Sequence, residues 1–273
     1  MKKLETKSLG EHGFTLVELF IAMAVGCFVV AGMYTIQKSQ QESCVLQEQV
    51  AVAQQNIRAS KYMMVREFRM AGFDPTGSAD AAITLADSNT ISFTADTRGA
   101  VFGSNPDGDT NDPNENITYS LFDCDGDGDL DLRRQDPTVV PANAAVPIEQ
   151  MIAKNIEALD LVYFNGNLSN QIDDDGDGTV DEDDEAVMAT PVAGTNLDDI
   201  RSVQLTLVAR LERWDDEYVN NTVYSNQQGT VIFNLAVDGV DNNSNGVVDE
   251  AGETDSFRRR VLTTNVCCRN LGS

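Results

Sequence analysis

The chain has 273 residues, 41% of them hydrophobic, enough to bury the core of one substantial domain or two small ones. A formal net charge of -25 excludes nucleic acid and anionic lipid as partners of the soluble part, since phosphate is repelled over a screening length of roughly 8 Å. Divalent cations are the natural counter-charge, and the aspartates cluster at 107–131, 173–185 and 238–255, marking discrete sites rather than a uniformly acidic surface.

In chain order the first element is an apolar run at 14–36, long enough to cross a bilayer as a single helix, with Glu18 as its only charged member. Lys2, Lys3 and Lys7 precede it and bias the short N-terminal segment toward the cytoplasm, which puts everything after Thr35 on the other side. An ordinary secretory signal carries its small-x-small cleavage site after the hydrophobic core. Here the order is inverted, with Gly13 immediately before the run.

Gly13-Phe14-Thr15-Leu16-Val17-Glu18 resembles the prepilin processing motif. The resemblance implies a leader, 1–13, removed by a prepilin peptidase between Gly13 and Phe14, and methylation of the new amino terminus at Phe14. It also implies that Glu18 neutralises the terminal amine of a neighbouring subunit and so sets register during filament assembly. The bland alternative is a glutamate that only reaches into the headgroups, because a carboxylate at the end of a membrane helix is costly unless paired or near the interface.

From 37 to 72 there is no proline, and the membrane helix is expected to continue outward as an amphipathic extension. Leu46, Val50, Ala53, Ile57, Met64, Phe68 and Ala71 form its apolar stripe, opposite Gln54, Arg58, Lys61, Arg66 and Arg69. Gly26 and Gly32 are places where it could bend, and Gly72 followed by Asp74-Pro75 is the stop signal. Residues 62–75, YMMVREFRMAGFDP, and the tail 257–270, FRRRVLTTNVCCRN, resemble the PilW group of minor pilins.

The remainder, 73–273, is expected to be one β-rich globular domain. Runs at 90–94, 117–122, 156–164, 200–211, 231–237 and 257–264 are rich in β-branched and aromatic residues and are expected to be strands. In Val203-Gln204-Leu205-Thr206-Leu207-Val208 the alternation places one face on a core and the other toward water. The fold class is therefore α+β, a long N-terminal helix packed on an antiparallel sheet domain that carries loop insertions. Cys27 lies in the apolar run, while Cys44, Cys124, Cys267 and Cys268 lie outside it; an exported body makes at least one disulfide plausible, with a connectivity that spacing does not define.

Three acidic loops share one frame. Asp123, Asp125, Asp127 and Asp131 occupy positions one, three, five and nine of the first, with Gly128 at six. The second carries Asp173, Asp175, Asp177, Thr179 and Asp181, and the third Asp241, Asn243, Asn245, Val247 and Asp249. Oxygens alternating along such a loop converge on one cation, and the glycine permits the sharp turn, so calcium is the expected cofactor. The loops resemble EF-hand-type calcium loops but depart at position twelve, where Arg134, Asp184 and Gly252 stand, and Glu185 or Glu253 one residue later is the alternative last ligand. The looser Asp107-Gly108-Asp109-Thr110-Asn111 segment is expected to be a solvated acidic turn.

Beyond the leader the chain has no histidine, no GxSxG elbow and no phosphate-cradling glycine loop, so an enzyme is disfavoured. The expected function is a minor pilin that helps initiate, cap or assemble a type IV pilus. Its partners would be other pilin subunits, the prepilin peptidase and the inner membrane, and its final location the pilus at the cell surface. A minor pseudopilin of a type II secretion system and a calcium-stabilised pilus-tip adhesin are the alternatives.

Overall fold

The computed structural model describes residues 15–99, 104–138, 148–165, 187–215, 218–241, 246–248 and 253–271. It divides into two compact units, Met1–Glu48 and Gln49–Ser273. One helix, α1 (Leu16–Phe68), begins in the first and ends in the second, and it is unbroken at Gly26 and Gly32. Among the described residues it is the one helix long and apolar enough to cross a membrane. In the first unit its apolar side chains, such as Phe20, Phe28 and Met33, are exposed, as a surface covered by lipid requires.

In the second unit the apolar stripe of α1 becomes a core face. Ile57, Met64 and Phe68 are buried on one face of the helix, with Ser60 and Glu67 buried beside them. The helix stops where the sequence signals it. Gly72 takes a left-handed φ of 75°, and its N–H donates to the Thr94 carbonyl at 2.9 Å, tying the turn to the sheet.

The first sheet is a five-stranded antiparallel meander of β1 (Ile83–Ala86), β2 (Ile91–Thr94), β3 (Asn116–Phe122), β4 (Asp131–Asp136) and β5 (Ile148–Ala153), in that order. Phe68 meets it edge-on, its ring centroid 5.6 Å from Phe93 and 5.9 Å from Tyr119. Fully burying a side chain of this size stabilises the fold by about 1.5–3 kcal/mol.

A second antiparallel sheet follows, made of β6 (Ile156–Phe164), β7 (Ser202–Arg210) and, after the short hairpin β8 (Tyr224–Ser225) and β9 (Val231–Phe233), β10 (Arg259–Cys267). The order is β10-β7-β6, so the C-terminal strand pairs with β7 along its whole length, Arg259 opposite Arg210 through Cys267 opposite Ser202. Helix and sheets together give the expected α+β class.

The structure corrects four expectations. The outer face of β7 does not meet water: Gln204 and Thr206 are buried. Gln204 donates to Gln227 at 2.6 Å and Asn226 donates to Asp160 on β6 at 3.1 Å, so the segment between β8 and β9 covers that face. The expected strand 231–237 ends at Phe233, because Asn234 accepts from the Ala236 N–H and caps a 3-10 turn over Leu235–Val237. β1, β4 and β5 add strands that the sequence reading did not contain. Finally, all five cysteines are unpaired; Cys267 is exposed and Cys268, next to it, is buried, so the two side chains leave the end of β10 on opposite sides. Burial, and then the neighbouring Cys267, pushes the Cys268 thiol up to about 12.

Candidate functional site

Two places carry the functional expectations: the start of α1 and the acidic loops. Gly13 and Phe14 lie outside the described residues. Thr15 precedes the helix, and its hydroxyl accepts the Glu18 N–H at 3.2 Å, the first half of a capping box. Glu18 is the acidic residue of the first turn, where the positive end of the helix dipole favours a carboxylate. The motif thus combines a helix start with an exposed negative charge next to the expected cleavage point.

Of the three loops the first is described in full. One oxygen each of Asp123, Asp125 and Asp131 lies within 4.8 Å of the others. Asp127 is not in this group; its carboxylate accepts the Asp129 N–H at 2.9 Å. Asp123 is turned onto the loop backbone, accepting from Gly126 at 2.7 Å and Gly128 at 3.1 Å. Asp131 is buried and bridges the loop to the sheet, accepting from Cys124 at 3.2 Å and Asn155 at 3.1 Å. Burial raises its carboxyl above the usual range, against the pull of those two N–H donors.

Basic side chains of the protein approach the same loop. Lys154 pairs with Asp125 and holds that carboxyl below its ordinary value, and Arg210 pairs with Asp129. Neither partner was identified from the sequence, because each comes from a different strand end and carries no local signal.

Position twelve is now explained. Arg134 sits inside β4 with its side chain 6% exposed, and its Nε donates to Glu67 of α1 at 3.1 Å, so it belongs to the core and not to the loop. Tyr119 donates to the same Glu67 oxygen at 2.6 Å, and Arg134 Nη2 donates to Asn114 at 3.1 Å. Burial and then the Glu67 charge push the Tyr119 phenol up, keeping it a donor. Sequence reading missed Glu67; its signal was a lone acid on the stripe side of a helix, between Met64 and Phe68.

The second loop, with Asp173, Asp175, Asp177, Thr179, Asp181, Asp184 and Glu185, lies outside the described residues. In the third, Asn243, Asn245 and Asp249 also lie outside them, whereas Asp241 accepts the Gly246 N–H at 2.7 Å, Val247 is exposed and Glu253 is buried.

The basic tail has a structural task. Arg259 is buried with its guanidinium spread between Glu157 and Asp255, accepted by Glu157 Oε1 and Asp255 Oδ1 at 2.9 Å each, and Arg258 pairs with Asp215 at 2.8 Å. These bonds fasten the start of β10 to β6, to the loop before it and to the segment that follows β7. The segment expected to be a solvated turn, residues 107–111, is exposed at Asp107 and Asp109, but Asp112 directly after it is buried.

A helix start bearing this processing motif, an exposed apolar helix and a helix-on-sheet body define a type IV pilin-like protein, anchored in the inner membrane and bound for the pilus. Residues 9–34 match the prokaryotic N-terminal methylation motif. Residues 119–270, more than half of the chain, match the family described as Type IV Pilus-assembly protein W, and the chain belongs to this PilW family. Among solved structures it is similar to the type IV-like pilin TTHA1219 from Thermus thermophilus, at 13% identity and a TM-score of 0.39, with 80% of this chain and 97% of that chain covered. No curated protein matches.

Proposed function

We propose that this chain is a minor pilin that helps initiate, cap or assemble a type IV pilus, after a prepilin peptidase cuts between Gly13 and Phe14 and methylates Phe14. The observation that carries the reading is the PilW match over 119–270 on the same chain as the methylation motif at 9–34. Other pilin subunits are its partners. Glu18, exposed in the first turn of α1, pairs with the terminal amine of a neighbour, an attraction that strengthens as lipid and subunits exclude water from around it. The role is structural and not catalytic. Calcium at the acidic loops stiffens the body; the convergence of Asp123, Asp125 and Asp131 supports this, and the ion has to displace Lys154 from Asp125.

The test is a Glu18→Ala chain expressed in its own host in place of the wild type. Membrane insertion should be intact, since removing a charge from a membrane helix eases insertion. The variant should be absent from sheared filaments, and piliated cells should become as rare as in a strain lacking the gene. Recovery of the variant in sheared pili at the wild-type amount, with normal piliation, would overturn the assembly role.

A further inference from the structure

Below the exposed 107–111 segment lies a second cluster of carboxylates, chemically unlike the first loop. One oxygen each of Asp107, Asp109 and Asp112 lies within 4.8 Å of the others, the first two at the surface and the third buried. Asp112 is only 9% exposed, and its Oδ2 is buried with no hydrogen-bond partner among the described residues. Asp96, fully buried, is similar: Oδ2 accepts from the Gly108 N–H at 3.0 Å and the Thr76 hydroxyl at 3.4 Å, while Oδ1 has no partner among the described residues. A buried carboxylate oxygen without a donor is costly and therefore rare, and here one stands within the cluster, on Asp112, and one on Asp96, whose other oxygen is held by Gly108 of the same segment.

The surroundings hold the cluster in place, and the Arg98 charge offsets part of its own. The buried Glu115 accepts from Thr97, Arg98 and Asp112, at 2.8, 2.9 and 3.2 Å, and so fixes the backbone on both sides. Gly99 packs closely against Asp107: a Cβ there would stand 2.9 Å from the Ser104 hydroxyl and 3.0 Å from both Asp107 Oδ2 and the Asn105 carbonyl oxygen. Burial first, then Asp107 and Asp109, push the Asp112 carboxyl above its ordinary value, and Asp96 adds to this while Arg98 opposes it. At the first loop Lys154 pairs with Asp125 and Arg210 with Asp129.

We propose that Asp107, Asp109 and Asp112, on a segment held to the buried Asp96 carboxylate through the Gly108 N–H, form a calcium site. Hard oxygen donors on an irregular loop suit calcium's variable coordination and not the strict octahedron of magnesium. The ion clips residues 107–112 onto the segment that follows β2. This site is separate from the three loops with the alternating aspartate frame and stands whether or not they bind.

The experiment counts calcium ions bound per full-length chain in zwitterionic detergent, by equilibrium dialysis, and records melting with calcium, with magnesium and with chelator. Asp112→Asn should bind one ion fewer than the wild type, and Asp109→Asn, at an exposed position that does not endanger folding, should do the same. Loss of an outer-shell partner already lowers metal affinity by roughly 10–100-fold, so loss of a ligand should cost the site at least that much. In chelator Asp112→Asn should melt no lower than the wild type, because the crowding of charge is relieved, and in calcium it should melt lower. The competing occupant is a proton on Asp112. In that case both variants bind as many calcium ions as the wild type, and the proposal is overturned; equal occupancy by magnesium overturns the choice of calcium. If Asp112→Asn does not fold, the ion count of Asp109→Asn decides.

Discussion

Replacing Arg134 with methionine tests how the helix is locked to the first sheet. In the wild type Arg134 and Glu67 side chains are 6% and 11% exposed, and the guanidinium spends one bond on Glu67 and one on Asn114. The variant leaves Glu67 a buried carboxylate with the Tyr119 hydroxyl as its remaining close donor and Arg66, whose side chain is 66% exposed, 3.9 Å away. Breaking a buried ion pair from one side costs about 3–5 kcal/mol, and the retained Tyr119 bond places this case near 3 kcal/mol. Changing Glu67 to leucine as well removes the stranded charge and should recover most of the loss, since an apolar replacement of both partners is often neutral or better. Urea unfolding of the full chain in mild detergent, followed by near-ultraviolet circular dichroism, reads the effect on the globular unit. A loss below about 1 kcal/mol for Arg134→Met, or a double variant no more stable than the single one, would refute the lock.

Two further outcomes follow from the same physics. Burial raises the Asp160 carboxyl above its ordinary value, and the Asn226 amide only partly offsets this. A folded carboxyl above its unfolded value contributes stability that is complete below the unfolded value, near pH 4, and is lost as pH rises through the folded one. Melting temperatures of Asp160→Asn relative to the wild type should therefore rise from pH 4 toward neutrality, and a difference that is flat or falls with pH would contradict the assignment. At the first acidic loop, Asp125→Asn should remove both the Lys154 ion pair and a ligand of the proposed calcium ion, so calcium should raise its melting temperature less than it raises that of the wild type. An unchanged calcium increment would leave Asp125 as the partner of Lys154 alone.

What was legible in the sequence was whatever repeats over a few residues. The apolar run with Gly13 before it and Glu18 within it marked the anchored helix, and β-branched runs marked β2, β3, β6, β7 and β10. The spacing of aspartates drew the frame of the acidic loops. β4 was hidden because Asp131-Leu132-Arg133-Arg134-Gln135-Asp136 looks like solvated chain; it is a strand because Arg134 finds Glu67, 67 residues away. The buried outer face of β7 depends on Gln227 and Asn226 arriving from a later hairpin, and alternation along a strand cannot announce what will cover it. The pairing of Asp96 with the 107–112 segment is of the same kind. Periodicity records how neighbours along the chain orient their side chains, whereas the environment of a charge is set by distant segments that meet only in the folded molecule, and that environment decides whether a carboxylate is paired, solvated or left for a cation.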